Sequence, residues 1–170
     1  MTEKVRIVNR IECSETTFWE LFRSQDYNQN IFLKRMNFPR WEITRLEEKG
    51  DRVERTVEVE PYIGELPPAV KKVIGERICY REEGSLNIPE KCYELRVISN
   101  VLPSKILVSG SQRTEKVDEH TVNRIFEMEV QVKIFGVGGL IEKSIVADLK
   151  KGYNLGAVYT NEYIREQGLR

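Results

Sequence analysis

The last third of the chain, Thr121 to Arg170, constrains the fold most. From Thr121 to Phe135, the residues Val122, Phe126, Met128, Val130, Val132 and Ile134 fall on one face of an extended strand. Asn123, Glu127, Glu129, Gln131 and Lys133 fall on the other. Alternation sustained this long predicts a half-buried antiparallel strand. The pattern breaks at Gly136-Val137-Gly138-Gly139 and then changes period. Ile141, Ile145, Leu149, Gly152, Gly156, Tyr159 and Tyr163 recur every three or four residues, which lines one face of a helix of about seven turns. A sheet with one apolar face and a long helix with one apolar stripe can cover each other.

Gly152 and Gly156 are the odd members of that stripe, because a glycine inside a helix costs roughly 1 kcal/mol relative to alanine. Two causes fit. The helix backbone approaches the sheet or a neighbouring side chain closely, or the missing side chains leave room for a ligand between helix and sheet.

Upstream, Val5, Ile7 and Ile11 suggest a first strand, and Ser14 stands as an N-cap before the amphipathic run Phe18, Trp19, Leu21, Phe22. A second short helix is expected from about Asp26 to Met36, ended by Pro39. Strands come next at about Arg40–Glu47 and Arg52–Tyr62, joined by the turn Glu48-Lys49-Gly50-Asp51. The segment Tyr62–Gly75 differs: Pro67-Pro68 and Gly75 bracket a short helix, with Leu66, Val70, Val73 and Ile74 on one face and Lys71 and Lys72 opposite. Strands resume at about Glu76–Leu86, Lys91–Ser99, Lys105–Lys116 and Thr121–Phe135. No internal repeat or linker interrupts this order, so a single domain over residues 1–170 is expected.

The element order, β, two short helices, six strands with one insertion, and a long helix, resembles the START-like superfamily with its helix-grip fold. Gly138-Gly139-Leu140-Ile141-Glu142-Lys143 and Leu66-Pro67-Pro68-Ala69-Val70-Lys71-Lys72-Val73-Ile74-Gly75 are similar to a domain-of-unknown-function branch of that superfamily. The resemblance implies an α+β fold, a curved antiparallel sheet of about seven strands gripping the C-terminal helix. It also implies a cavity between them that takes an apolar small molecule or lipid.

Composition narrows the function classes. Lys plus Arg (27) equals Asp plus Glu (27), so no global field draws the chain to nucleic acid or to an anionic membrane. No run approaches the length of a membrane span, so only transient membrane contact is compatible with it. Cys13, Cys79 and Cys92 form no close pair, which suits reduced thiols and a cytoplasmic location. The only histidine, His120, lies in a turn between acids, a poor place for a general base. Without further histidines, and with cysteines so dispersed, no metal and no cofactor is expected. The Gly136–Gly139 run lacks the third glycine of a dinucleotide fingerprint, since position 141 is Ile141, and it lacks the further strand after the helix. It reads as a flexible corner between strand and helix.

More informative are polar residues at inward positions. Arg124 shares the parity of Val122, Phe126 and Met128; Arg55 shares that of Val53 and Val57; Asn9 lies between Ile7 and Ile11; Glu82 shares that of Ile78 and Tyr80; Asp148 is near the helix seam. A buried charge without a partner is costly, so each is paired inside, near an open sheet end, or against a ligand. Apolar walls with a few polar groups suit a small-molecule site. The candidate ligand-binding set is therefore Arg55, Tyr80, Glu82, Arg124, Met128, Asp148, Gly152, Gly156 and Tyr159. Leu66, Val70, Val73 and Ile74 form a candidate lid, or else merely cap the open edge of the core. The leading expectation is non-enzymatic binding, with transfer as an extension, of a hydrophobic ligand. Two alternatives stand beside it: an interaction module built on the 62–75 segment, and a cyclase- or dehydratase-type enzyme using Tyr80, Glu82 or Asp148. The sequence does not fix an oligomeric state.

Overall fold

The computed structural model describes residues Thr2–Arg170. Strand β1 (Thr2–Ile11) leads to α1 (Glu15–Arg23), and Ser14 caps it by accepting from the Thr17 N–H at 3.1 Å. Ser24 closes α1 and caps α2 (Gln25–Gln29), its Oγ accepting from the Tyr27 N–H. The single helix expected from about Asp26 to Met36 is instead α2 continued by a π-helical turn, Asn30–Arg35. The Asn28 amide holds α2 against α1 by donating to the carbonyls of Leu21, Phe22 and Ser24. One extra residue in the π turn rotates the downstream chain by about 100°. Ile31 is buried in the core, and Phe32 stacks on Trp41 with centroids 5.1 Å apart.

Strands β2 (Arg40–Lys49) and β3 (Arg52–Glu60) form the expected hairpin, with Gly50 at φ 60° in its turn. Next come α3 (Pro68–Ile74), β4 (Tyr80–Asn87), β5 (Cys92–Ser99), β6 (Ile106–Asp118), β7 (Thr121–Val132) and α4 (Gly138–Gln167). All seven strands join one antiparallel sheet in the order β1-β7-β6-β5-β4-β3-β2. Strand β7 stops three residues earlier than its alternation predicts. Glu142 Oε1 takes the Val132 N–H at 2.8 Å, and the Gly138 backbone lies so close to Val132 that a Cβ there would be 2.6 Å from its carbonyl oxygen. The chain therefore leaves the ladder at Val132, and Phe135 is fully exposed.

Cross-strand partners share a face of the sheet, which gives the interior its rows. One runs Val57, Glu82, Val97, Val108, Val130; the next runs Arg55, Gly84, Leu95, Gly110, Met128, Val5. Helix α4, 30 residues and about 45 Å long, packs mainly on β1 and β7, and Ile141 in its first turn joins Ile106 of β6 in one apolar cluster. Asn161 and Asn154 pin it to β1: the Glu12 N–H donates to Asn161 at 2.8 Å, the Asn161 amide donates to the Arg10 carbonyl at 3.0 Å, and the Asn9 amide donates to Asn154 at 2.9 Å.

Gly110 is required where it stands, because a Cβ there would lie 2.0 Å from the Glu127 carbonyl oxygen and 2.6 Å from the Met128 sulfur. Backbone cannot yield as a side chain can. Gly110→Ala is expected to lose about 2 kcal/mol or more in urea denaturation; unchanged stability would contradict the β6–β7 register.

Candidate functional site

The inner face of the sheet carries a buried ionic cluster. Arg55 of β3, 6% exposed, donates through Nη2 to Glu82 Oε1 at 2.8 Å and through Nη1 to the Phe22 carbonyl at 2.9 Å. The Tyr93 hydroxyl donates to the same Glu82 oxygen at 2.9 Å. Tyr93 reaches across β4 because position 84 is glycine: a Cβ there would lie 2.3 Å from the Tyr93 ring. The guanidinium sits 3.7 Å from the Phe22 centroid and 4.9 Å from that of Tyr93. Burial alone would lower the Arg55 pKa, but Glu82 and Tyr93 outweigh it and hold it above its usual value. Tyr80 is half-buried on the same face, and burial, then the Glu82 charge, push its phenol and that of Tyr93 far above the usual range.

A second polar group lies between β1, β7 and α4. Arg124, 9% exposed, donates to Asn9 at 2.7 Å and to the Tyr153 carbonyl at 2.8 Å, and its guanidinium is 4.9 Å from the Tyr153 ring. Tyr153 stacks on Phe126 with centroids 3.8 Å apart. Its phenol is raised by burial, then by the field of Glu82.

Between them the interior is not fully covered. Tyr80, Glu82, Val97 and Val108 on the sheet, and Val146, Leu149 and Tyr153 on α4, each keep accessible surface. Yet Tyr80 and Tyr153 lie deep enough for desolvation to dominate their phenols. Val97, Val108, Val146, Leu149 and Tyr153 pack partly buried against one core cluster, between α4 and the inner face of the sheet.

The other predicted positions are spread more widely. Met128 is buried beneath Gly110. Gly152 and Gly156 face the π turn rather than the sheet: a Cβ on either would meet only the thioether end of Met36, at 3.8 and 3.9 Å. Neither glycine is demanded by close approach of backbone. The inward stripe of α4 is wider than its sequence spacing implies. Gly152, Gly156, Thr160 and Tyr163 meet the π turn and α2, while Tyr153, Asn154 and Asn161 meet β7 and β1. Tyr159 is half-buried against the core. Asp148 is largely exposed at the edge of the helix, with enough protein around it for burial to raise its carboxyl despite Lys151. In the candidate lid, Val70 and Ile74 are buried with Ile106, Val130, Val132 and Ile141, and Leu66 and Val73 pack against them. His120 is exposed in its turn, and burial pushes the Cys13 thiol up to about 11. Among the described residues no cluster of His, Cys, Asp and Glu could hold a metal, and no helix is long and apolar enough to cross a membrane. Tyr153, Gly84 and Gly110 escape sequence reasoning. Tyr153 carries one usable signal, its place four residues after Leu149.

A family model described as "Protein of unknown function (DUF2505)" matches residues 7–164. The chain belongs to this family. No curated protein matches it. Among solved structures it is similar to the Zhui aromatase/cyclase of a Streptomyces species, with TM-score 0.70, 14% identity, and 99% of each chain covered. It also resembles TTHA0849 of Thermus thermophilus, with TM-score 0.65, 10% identity, and 93% of this chain and 97% of that one covered. A third is norcoclaurine synthase of Thalictrum flavum, solved with dopamine and hydroxybenzaldehyde, with TM-score 0.62, 12% identity, and coverage of 95% and 88%. At these identities the likeness establishes the START-like helix-grip fold of the DUF2505 chain.

Two substitutions probe the cluster and the helix. Glu82→Ala strands the Arg55 guanidinium and is expected to cost about 2–4 kcal/mol in urea denaturation; a loss below about 1 kcal/mol would mean that water replaces the carboxylate. Asp148→Asn should be more stable than wild type near pH 7 and equal to it near pH 3. The raised folded pKa means that the folded state holds the proton more tightly. Stability is then lost as pH rises from the unfolded carboxylate value through the folded one, and the variant escapes that loss. Thermal melts across this range read the sign directly.

Proposed function

We propose that this DUF2505 protein binds an apolar small molecule or lipid in a cleft between α4 and the inner face of β4–β6. The observation that carries the proposal is the residual exposure of Tyr80, Glu82, Val97, Val108, Leu149 and Tyr153, of which Val97, Val108, Leu149 and Tyr153 pack against the main core cluster. Apolar walls with a few fixed polar groups are the usual make-up of a ligand site. The fold neighbours include a norcoclaurine synthase holding dopamine and hydroxybenzaldehyde, which is compatible with such a use of the fold. Glu82 already accepts from Arg55 and Tyr93 through one oxygen, which favours a fixed anion that orients a ligand over a mobile proton carrier.

Transfer of a lipid would need contact with a membrane, and one end of the molecule suits that step. The segments that run from the Ile106–Val132 end of the sheet carry exposed Leu102, Phe135 and Leu140 and exposed Lys105, Lys133 and Lys143. Aromatic and lysine side chains at one surface favour transient contact with anionic headgroups. The α3 segment, packed at this end of the sheet, is the element that would move to admit a ligand. A cytoplasmic location fits three free cysteines, of which Cys13 is buried.

Native mass spectrometry of gently purified protein is expected to show an added mass that disappears on denaturation. Val97→Trp, which fills the cleft wall, should abolish that mass while the protein stays folded. Apo protein after incubation with a lipid extract, with no added mass in any charge state, would sink the proposal.

A further inference from the structure

The interior charges do not balance locally. Arg55 has Glu82 at 2.8 Å, but no carboxylate among the described residues pairs with Arg124. The other buried carboxylate, Glu142, lies eleven residues back along α4 from Tyr153, roughly 16 Å away along the axis, against the Val132 N–H. Arg124 is always protonated and offers five N–H donors. Nη2 serves Asn9 and the Tyr153 carbonyl, both neutral, while Nε is buried with no partner. A guanidinium at this depth, with neutral acceptors alone, loses more hydration than it recovers. The Tyr153 ring lies 4.9 Å from the guanidinium, and Tyr153 follows Leu149 by one turn of α4, so Arg124 sits next to the α4 side of the proposed site.

We infer that the ligand is an anionic amphiphile, whose carboxylate or phosphate group is the missing counter-ion of Arg124 and whose apolar body lies along Val97, Val108 and Leu149. The inference rests on the ligand-binding proposal and adds the headgroup chemistry. A carboxylate and a phosphate share what Arg recognises, a negatively charged acceptor oxygen, and with Nη2 engaged and Nε enclosed it is Nη1 that would donate to it. Arg55 is not the recognition cation, because Glu82 already neutralises it.

The test uses the full chain and a matched pair of probes, dodecanoate and dodecanol, each displacing the neutral dye Nile red. Wild type should release the dye at about tenfold lower dodecanoate than dodecanol. Arg124→Gln should remove the difference between the two, and Arg124→Lys should retain part of the preference. Dodecyl phosphate run beside them tells the carboxylate from the phosphate. Equal displacement by acid and alcohol in wild type overturns the inference while leaving hydrophobic binding intact, as does a preference that survives Arg124→Gln. If neither displaces the dye, the ligand-binding proposal fails and this one with it. A readout that needs no variant uses carboxyl-labelled dodecanoate bound to wild type. Its carbon-13 shift should titrate at least one pH unit lower than in free solution, and a midpoint equal to or above the free value rules out an ion pair with Arg124.

Discussion

One helix about 10 Å across has to cover an apolar sheet face about 30 Å wide. The rest of the structure is shaped by that mismatch. Helix α4 takes the β1–β7 side, where three asparagines fix it. Helices α1 and α2 and the π turn take the far end of the sheet, filling it with Phe18, Trp19, Phe22, Tyr27 and Ile31. The α3 segment takes the near end with Val70 and Ile74. Part of the inner face of β4–β6 is what remains: Tyr80, Glu82, Val97 and Val108 keep accessible surface there, while Leu86, Tyr93, Leu95 and Gln112 of the same strands are buried. The incomplete cover at this place is therefore a consequence of geometry, and the residues around it decide its use.

Those residues are arranged at a cost. An ion pair, two tyrosine hydroxyls and an arginine are carried where the rest of the core would favour leucine and valine. Replacing a buried ion pair by apolar residues is often neutral or stabilising, so stability alone gives little reason to place Arg55, Glu82 and Arg124 inside. Gly84 shows the same priority. It gives up strand propensity so that the Tyr93 ring can cross β4 and its hydroxyl can reach Glu82. The polar set is fixed by packing and hydrogen bonds on rigid strands, the condition under which a binding group keeps its geometry.

The glycines make the point about context most directly. In sequence, Gly152 and Gly156 stand out because a helix interior penalises them, whereas Gly84 and Gly110 pass as ordinary strand interruptions. In the fold the weight reverses. A methyl group at 152 or 156 meets only a flexible methionine, but at 84 it meets a tyrosine ring and at 110 a neighbouring strand's backbone. Propensity is a property of the local chain; close approach belongs to pairs of residues far apart in it.

Local pattern in the chain was enough to set the elements and their sides. Alternation in β7, β3 and β4 and the three-to-four spacing of α4 are local periodicities, imposed by backbone geometry, and the strand alternation alone places Arg55, Glu82 and Arg124 on the inner face. The turn at Gly50, the Ser14 cap and the Pro68–Gly75 bracket are local too, and all stand in the structure. Which inward charges meet was left to tertiary packing. Arg55 finds Glu82 and Tyr93 because three strands fall into one register, while Arg124 finds Asn9 and the Tyr153 carbonyl without an acid. Packing also turned the far half of α4 so that Tyr153, rather than Gly152, faces Phe126. Register and helix rotation are settled by the sum of many long-range contacts, and no local pattern in the chain carries that sum.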